Sequence, residues 1–494
     1  MLFNSLEFLI FFPITVLIYY LIPHKGRNVW LLITSYFFYM CWNPIHAVIL
    51  ASVTLVTFLS GLLLEKNNKK VGNIKIGKLI VALTCVLNIS GLSIFKYADF
   101  AISNIQHVLD IIHVPVQLHQ ASILLPIGIS FYIFQAIGYV IDVYRGDVPS
   151  EKNLLKYATF VSFFPQLVAG PIERYTNLSS QFNDKHVFDS EKVKSNLILM
   201  LWGFFLKMVI ADRIAIYVDW AYGNRDILDG WYLVIASALF AFQIYCDFNG
   251  YTLIARGAAG AMGFELMDNF KSPYCAQGVK GFWAGWHISL TSWFRDYLYI
   301  PLGGNRKGKA RKYLNQMIVF LLSGLWHGAT WSYVAWGGLN GLYLVVGDIL
   351  KPLREKISGA LKIKKDFIVL RVLNAIITFV LVDISWVLFR AGGIGTAADI
   401  FGRMIGAKDA AILIDGRAYE GVFDAGNYYL MLISIVLLLV VDIFHVKGFS
   451  FRKWLSERKI WIRWIAYFGL IFSILIFGIW GSNYNASNFI YFQF

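Results

Sequence analysis

The sequence predicts an all-α, polytopic membrane protein with about 11–13 transmembrane helices and further broken helices embedded between them. Three observations carry that reading. The 494-residue chain strings long apolar runs one after another from end to end. Charged residues are 15% of the chain, against about 25% in ordinary soluble domains, while 58% of residues are hydrophobic and the mean hydropathy is +0.59. The lysines and arginines gather in clusters at alternate connections between runs.

A crossing helix needs about 20 mostly apolar residues. Runs of this kind lie at 2–22, 29–43, 46–64, 77–95, 122–141 and 196–217, and again at 231–248, 313–326, 330–350, 367–389, 426–444 and 464–483. The runs 29–43 and 313–326 are short for a full crossing. The first run has Glu7 before its core and Lys25 and Arg27 after it, unlike a secretory signal, so it reads as a retained span that starts outside the cytoplasm. Alternating from there places four basic clusters inside. They are Lys66, Lys69, Lys70, Lys75 and Lys78; Arg306, Lys307, Lys309, Arg311 and Lys312; Lys351, Arg354, Lys356, Lys362, Lys364 and Lys365; and Arg452, Lys453, Arg458, Lys459 and Arg463. The positive-inside bias asks for this arrangement. It also puts the acidic turn at Asp219, Asp226 and Asp229, the loop 390–425 and the C-terminus outside.

The net charge of +14 is therefore read as loops facing anionic lipid, not as a nucleic-acid surface. No zinc-finger spacing or arginine-rich helix is present. Cys41, Cys85, Cys246 and Cys275 are scattered, form no CxxC pair, and suggest embedded thiols. No repeat or linker divides the chain, which reads as one membrane domain over 1–494. Two regions resist simple crossing. Residues 156–175 contain Pro165 and end near Gly170–Pro171, and residues 249–305 mix apolar stretches with Gly, Pro, His, Arg and Asp. Broken backbone at membrane depth needs protein or a water-filled cavity around it, so both are expected to be embedded.

Of the nine histidines, His107, His113 and His119 fall in a stretch, 97–121, read as an outer loop, and their spacing is too loose for one helix face. His287, in FWAGWHISLTSWFRDYLYIPLGGN, and His327, in LSGLWHGATW, are different: each sits beside tryptophan in apolar surroundings. Gly324 and Gly328 flank His327 and permit close backbone approach. A buried imidazole can be a satisfied structural group, a metal ligand, part of a proton path, or a base. Metal ligation lacks convincing further ligands, and no metal is expected. As a base, a neutral imidazole can take a proton from a hydroxyl attacking a thioester, in a tryptophan-lined site that limits hydrolysis. Arg295 and Asp296 read as an ion pair closing a helix end, Gly303 and Gly304 as a sharp turn, and Asn305 as a cap or a hydrogen-bonding group for a polar substrate. No GxSxG elbow is present.

Several stretches together resemble the membrane-bound O-acyltransferase family, in its bacterial branch of alginate O-acetylases and D-alanyl-transferring relatives. They are LPIGISFYIFQAIGYVIDVYRG (125–146), FPQLVAGPIERY (164–175), YCDFNGYTLIARG (245–257), WHISLTSWFRDYLYIPLGGNR (286–306), GLWHGATWSYVAWGGLNG (324–341) and WVLFRA (386–391). The resemblance implies a core at about 122–391 and a ring of helices around a central tunnel. It implies that His327 is catalytic and that His287 lines the same passage. Trp283, Trp286, Ser289, Asn305, Trp326 and Asn340 are the expected substrate-lining residues, with Asp247, Arg295, Asp296, Gly303 and Gly304 structuring the surroundings. By the same resemblance no cofactor is resident, acetyl-CoA is the acyl donor, and a cell-surface or exported polysaccharide is the acceptor. An extracytoplasmic acetyltransferase- or esterase-like protein is the expected partner, and a multi-pass position in the bacterial cytoplasmic membrane is expected. D-alanyl transfer from a carrier protein to teichoic acid and a proton-conducting transporter are the alternatives. Two stretches depart from the family's pattern: Ala284 and Gly285 stand where that branch often has paired arginines, and Leu253 where it often has an acid.

Overall fold

Lipid offers no hydrogen bonds, so backbone groups inside a bilayer must be satisfied within helices or by buried neighbours. In the computed structural model, which describes residues 1–70, 72–360 and 367–480, the described chain forms helices and no strand. It divides into two compact units, one of residues 1–200 with 252–267 and one of 201–251 with most of the chain from 268 onward.

The first unit carries α1 (Leu6–Leu21), α2 (His24–Met40), α3 (Pro44–Lys70), α4 (Ile74–Ile111), α5 (Ile129–Arg145), α6 (Leu154–Ser162), α7 (Phe164–Leu167), α8 (Tyr175–Gln181) and most of α9 (Ser190–Phe204). The embedded stretch 156–175 is broken and buried, as expected. Its break has a local cause. Pro165 has no N–H to give to the preceding turn, and the N–H of Phe164 turns instead to Ser35 Oγ (3.0 Å). The carbonyl of Phe160 is left over by the break. It accepts the side-chain amides of both Gln135 and Gln166, each at 2.8 Å. Further along, buried Glu173 accepts from Asn177 Nδ2 (2.7 Å) and the Met267 N–H (2.5 Å), which ties this stretch to the 252–267 segment of the same unit.

The second unit carries α10 (Asp212–Gly223), most of α11 (Gly230–Ala261), α12 (Val279–Gly285), α13 (Ile288–Phe294), α14 (Gly308–His327), α15 (Trp331–Ile349), α16 (Lys351–Ala360), α17 (Ile368–Arg390), α18 (Ile394–Ile405), α19 (Ala425–Val446), α20 (Phe451–Ser456) and α21 (Ile460–Phe477). Two stretches widen into π-helix, Phe205–Ala211 and Arg295–Tyr299. Such turns recur at functional or strained positions.

Each of the twelve apolar runs falls on a helix, with shifted ends. The stretch 97–111, read as loop, continues α4, since neither glycine nor proline interrupts it. α5 begins only at Ile129, because Pro126 and a left-handed Gly128 (φ +74°) precede it. Among the described residues six helices are long and apolar enough to cross a membrane, or seven if the bent pair Trp331–Ile349 and Lys351–Ile357 is one span. The shortfall against twelve comes partly from length, since α1, α2 and α5 have 16, 17 and 17 residues, and partly from where the helices face. α21 is almost wholly outward-facing, and apolar apart from Arg463 near its start and Ser473. In α5, fourteen of seventeen residues are buried against protein, so polar groups such as Gln135 and Asp142 replace aliphatic ones. Lys362, Lys364 and Lys365 of the third basic cluster, and the end of the last run at 481–483, lie outside the described residues.

Candidate active site

The site is built in the second unit from a helix hairpin. Glycines let the α14 and α15 backbones touch. A Cβ on Gly324 would stand 3.0 Å from the Tyr333 carbonyl carbon and closer still to its oxygen; one on Gly337 would meet the Phe320 carbonyl in the same way. With Gly341, whose added Cβ would lie 2.9 Å from Met317 Sδ, these form the small-residue seam that close helix pairs in membranes use. α14 stops at His327 because Gly328 is extended and packs under the Tyr333 ring. The stop leaves His327 at a helix end against α15, its ring 5.1 Å from Trp336 and nearly perpendicular to it.

α17 closes the next side. Trp386 and Phe389, one turn apart, put Phe389 5.3 Å from His327 and Trp386 nearly parallel to Trp336 at 5.8 Å. α12 adds Trp283, 5.7 Å from Trp336, and Phe282, stacked 5.2 Å from Trp286. Trp286 in turn lies 5.0 Å from Trp386. Aromatic pairs of this kind contribute about 0.5–1.5 kcal/mol each beyond burial and hold one another's rotamers.

His287 lies at the break between α12 and α13, outside the spanning helices, with φ +44° and ψ 54°. Left-handed backbone is costly for any residue but glycine, and clusters at functional sites. Its ring sits 4.6 Å from Phe248 of α11, 6.0 Å from Trp326 and 6.5 Å from His327. Both imidazoles are buried, His287 at 1% exposure and His327 at 5%. Burial disfavours the charged form of His287 and pushes it down to about 3, so it is neutral at pH 7. Two imidazoles in one aromatic enclosure can accept and pass on a proton with bulk water held back. Among the described residues no three His, Cys, Asp or Glu are placed to hold a metal ion.

The expected site residues fall into two sets. His287, His327, Trp283, Trp286 and Trp326 share the aromatic enclosure. Ser289 is fully buried and donates through Oγ to Asn269 Oδ1 at 2.7 Å. Asn340, also fully buried, donates to the Trp336 carbonyl one turn earlier (2.9 Å), which braces the residue packed on His327. Asp247 meets the ammonium of Lys207 at 2.7 Å, and Asp212 meets it from the other side at the same distance. The remaining positions are half-buried or exposed, apart from buried Gly304. Arg295 and Asp296 pair with each other at 2.7 Å, with side chains 62% and 31% exposed. Gly303 and Gly304 make the turn with φ +104° and +54°, and Asn305 on it is exposed. Asn315, not Asn305, holds that turn, donating to the Gly304 carbonyl at 2.9 Å.

Four residues escaped sequence reasoning: Lys207, Asn269, Phe248 and Phe389. Lys207 had a readable signal, since a lone lysine inside an apolar run needs a partner. Gly250 lets α11 approach it: an added Cβ would lie 2.7 Å from the Gly203 carbonyl oxygen and 3.1 Å from the Lys207 nitrogen. Asn269 and the two phenylalanines carry no signal of spacing or type.

Residues 147–388 match the family model for MBOAT, the membrane-bound O-acyltransferase family. The chain is 40% identical to the "Probable alginate O-acetylase AlgI" of Pseudomonas syringae pv. tomato over 418 residues, 83% of this chain and 76% of the relative. It is 30% identical to a peptidoglycan O-acetyltransferase of Helicobacter pylori over an alignment of 535 positions, covering 100% of this chain and 98% of that one. A teichoic acid D-alanyltransferase of Streptococcus thermophilus is 27% identical over 286 residues, 54% of this chain and 69% of the relative.

Proposed function

The chain belongs to the membrane-bound O-acyltransferase family, and from that premise we propose that it moves an acetyl group from a cytoplasmic thioester, acetyl-CoA, across the bilayer to hydroxyls of an exported or cell-surface polysaccharide. The observation that carries the reading is the convergence of His287 and His327, rings 6.5 Å apart, inside one aromatic enclosure. Acetyl transfer is favoured over D-alanyl transfer because the acetylase relatives match over 83–100% of the chain and the D-alanyltransferase over 54%.

In this mechanism His327 is the base. It takes the proton of the acceptor hydroxyl as that oxygen attacks the thioester carbonyl. The tetrahedral intermediate collapses with loss of the thiolate, and the imidazolium returns its proton to the leaving sulfur. Three ring centroids, of Trp326, Trp336 and Phe389, lie 4.8–5.3 Å from the His327 ring. Cation–π attraction to such rings offsets part of the cost of a transient imidazolium, about 0.5–2 kcal/mol for each well-placed ring. His287, neutral and enclosed, orients the acyl group or donates to the developing oxyanion. The enclosure limits hydrolysis of the thioester. The donor enters from the cytoplasm through a central tunnel, the basic segment from Arg306 to Lys312 at the start of α14 attracts its phosphates, and an extracytoplasmic partner receives the acetyl group or presents the glycan.

The test is mass analysis of surface and secreted glycans from cells with the unaltered chain, with His327→Ala, or without the chain, fed labelled acetate and labelled D-alanine in parallel. Labelled acetyl esters are expected only with the unaltered chain. Acetylation that persists with His327→Ala sinks the assignment of the base, and label arriving from D-alanine alone replaces the donor.

A further inference from the structure

We propose that Asn269 is the positioning residue for His287, holding the histidine in its left-handed conformation by binding the two residues that follow it. The inference rests on the catalytic reading of the two histidines.

The observations are local and mutually reinforcing. His287 has φ +44°, where a side chain crowds its own backbone, so the conformation persists only if the surroundings impose it. α13 starts immediately after it, and its own N-cap side chain makes no capping bond. The cap comes from elsewhere in the chain. The carbonyl of Asn269 accepts from the Ile288 N–H at 2.9 Å, while its side-chain Oδ1 accepts from Ser289 Oγ at 2.7 Å and from the Ser289 N–H at 3.2 Å. Asn269, His287 and Ser289 are all at or below 1% exposure, so water cannot substitute for these bonds.

Asn269 is itself part of a splint. The Lys271 N–H donates to the Gly285 carbonyl (2.9 Å), so the segments around 269–271 and 285–288 run side by side. Ser272, left-handed at φ +42°, donates through Oγ to Asp442 of α19 (3.1 Å), and Tyr245 of α11 donates to the same carboxylate. Gly285 admits the splint: a Cβ there would lie 2.7 Å from the Lys271 carbonyl oxygen. This is one of the two positions where the family's arginine pair is missing. The glycine here lets the Lys271 carbonyl pack closely against the backbone before His287. Without the bonds from Asn269 the chain at 286–288 is free to relax toward right-handed helix, swinging the imidazole away from His327 and Phe248.

The test uses membranes containing the full chain with Asn269→Ala, Asn269→Asp, Ser289→Ala, or Asn269→Ala with Ser289→Ala. Thiol release from acetyl-CoA is followed over a range of its concentration. Asn269→Ala is expected to lower kcat about 100-fold, the usual consequence of misplacing a reacting group by about 1 Å, with KM for the thioester changed less than about twofold. Asn269→Asp keeps the side-chain oxygen that accepts from Ser289 and is expected to recover activity to within about tenfold of the unaltered chain. The double variant should be no worse than Asn269→Ala alone, because both act through one set of bonds. Unchanged kcat in Asn269→Ala, equal losses in the alanine and aspartate variants, or multiplying losses in the double variant overturn the proposal. If Asn269→Ala does not accumulate in membranes, Ser289→Ala decides, since it removes one bond and leaves the backbone pair. A fall in its kcat at constant KM supports the proposal, and an unchanged kcat overturns it. Failure of the underlying reading looks different: there the unaltered chain itself releases no thiol, and the inference falls with it.

Discussion

Adding a single methyl group at the seam between α14 and α15 should silence the enzyme without touching either histidine. In Gly324→Ala the new Cβ would stand 3.0 Å from the carbonyl carbon of Tyr333 and closer to its oxygen, with the Gly337 Cα at 3.4 Å. All three are backbone atoms and cannot rotate away. To reach ordinary contact the two helices must part by about 1 Å, at an overpacking cost of about 1–3 kcal/mol. His327 lies three residues beyond Gly324 on α14, and its partner Trp336 is on α15, so the parting acts directly on the 5.1 Å contact between them. A displacement of about 1 Å at a reacting group costs about 100-fold in rate. Gly337→Ala presses on the Phe320 carbonyl and should behave alike. Gly338→Ala is the control: its Cβ would meet only Leu321 Cδ2, at an ordinary 3.5 Å. In mid-helix it should leave activity near that of the unaltered chain and gain up to about 1 kcal/mol from helix propensity. Thiol release per unit of folded protein, with abundance read by size-exclusion of the detergent-solubilised chain, separates the three. If Gly324→Ala and Gly338→Ala have equal activity, the seam does not set the geometry of His327, and the reasoning fails.

Two further outcomes concern buried charge. Lys207→Met removes the ammonium that bridges Asp212 and Asp247, both nearly inaccessible, and breaking a buried ion pair costs about 3–5 kcal/mol. Asp247→Asn, which leaves the contact with Asp212, should cost less. Thermal melting of the solubilised chain checks the order, and a Lys207→Met melt within about 2 °C of the unaltered chain refutes it. Burial pushes the Glu173 carboxyl up to about 7, against the hydrogen bonds from Asn177 and Met267. A carboxyl raised in the folded state contributes its stability below its unfolded value of about 4.5 and loses it as pH rises through about 7. The unaltered chain should therefore lose about 3 kcal/mol relative to Glu173→Gln between those limits. A melting difference that is flat from pH 5 to 8 would show that Glu173 does not titrate there.

Much of the architecture was legible because a bilayer imposes simple demands. The apolar runs are helices, 156–175 and 249–305 are broken, and the bent chain at Gly303–Gly304 turns where two glycines allow positive φ. Helix ends were less legible. α4 continues to Ile111 through residues that could equally have been loop, and the apolar run at 122–141 did not show that α5 starts only at Ile129. At the site, the tryptophans beside His287 and His327 announced themselves by type. Phe248 and Phe389 did not, because one more phenylalanine among forty carries no information until it is seen 4.6 Å or 5.3 Å from an imidazole.

The amino-acid sequence by itself determined the solvent this protein lives in, the helices that solvent requires, and the two imidazoles beside tryptophan that single themselves out there. Those follow from composition and from periodicity along one chain. Tertiary structure alone decided which groups aim those imidazoles: Asn269 reaches forward nineteen residues to Ile288, the α14–α15 seam closes on three glycines, and Lys207 sits between two aspartates. Hydrogen bonds and backbone contacts form wherever folding brings partners within about 3 Å, and sequence separation places no mark on that distance.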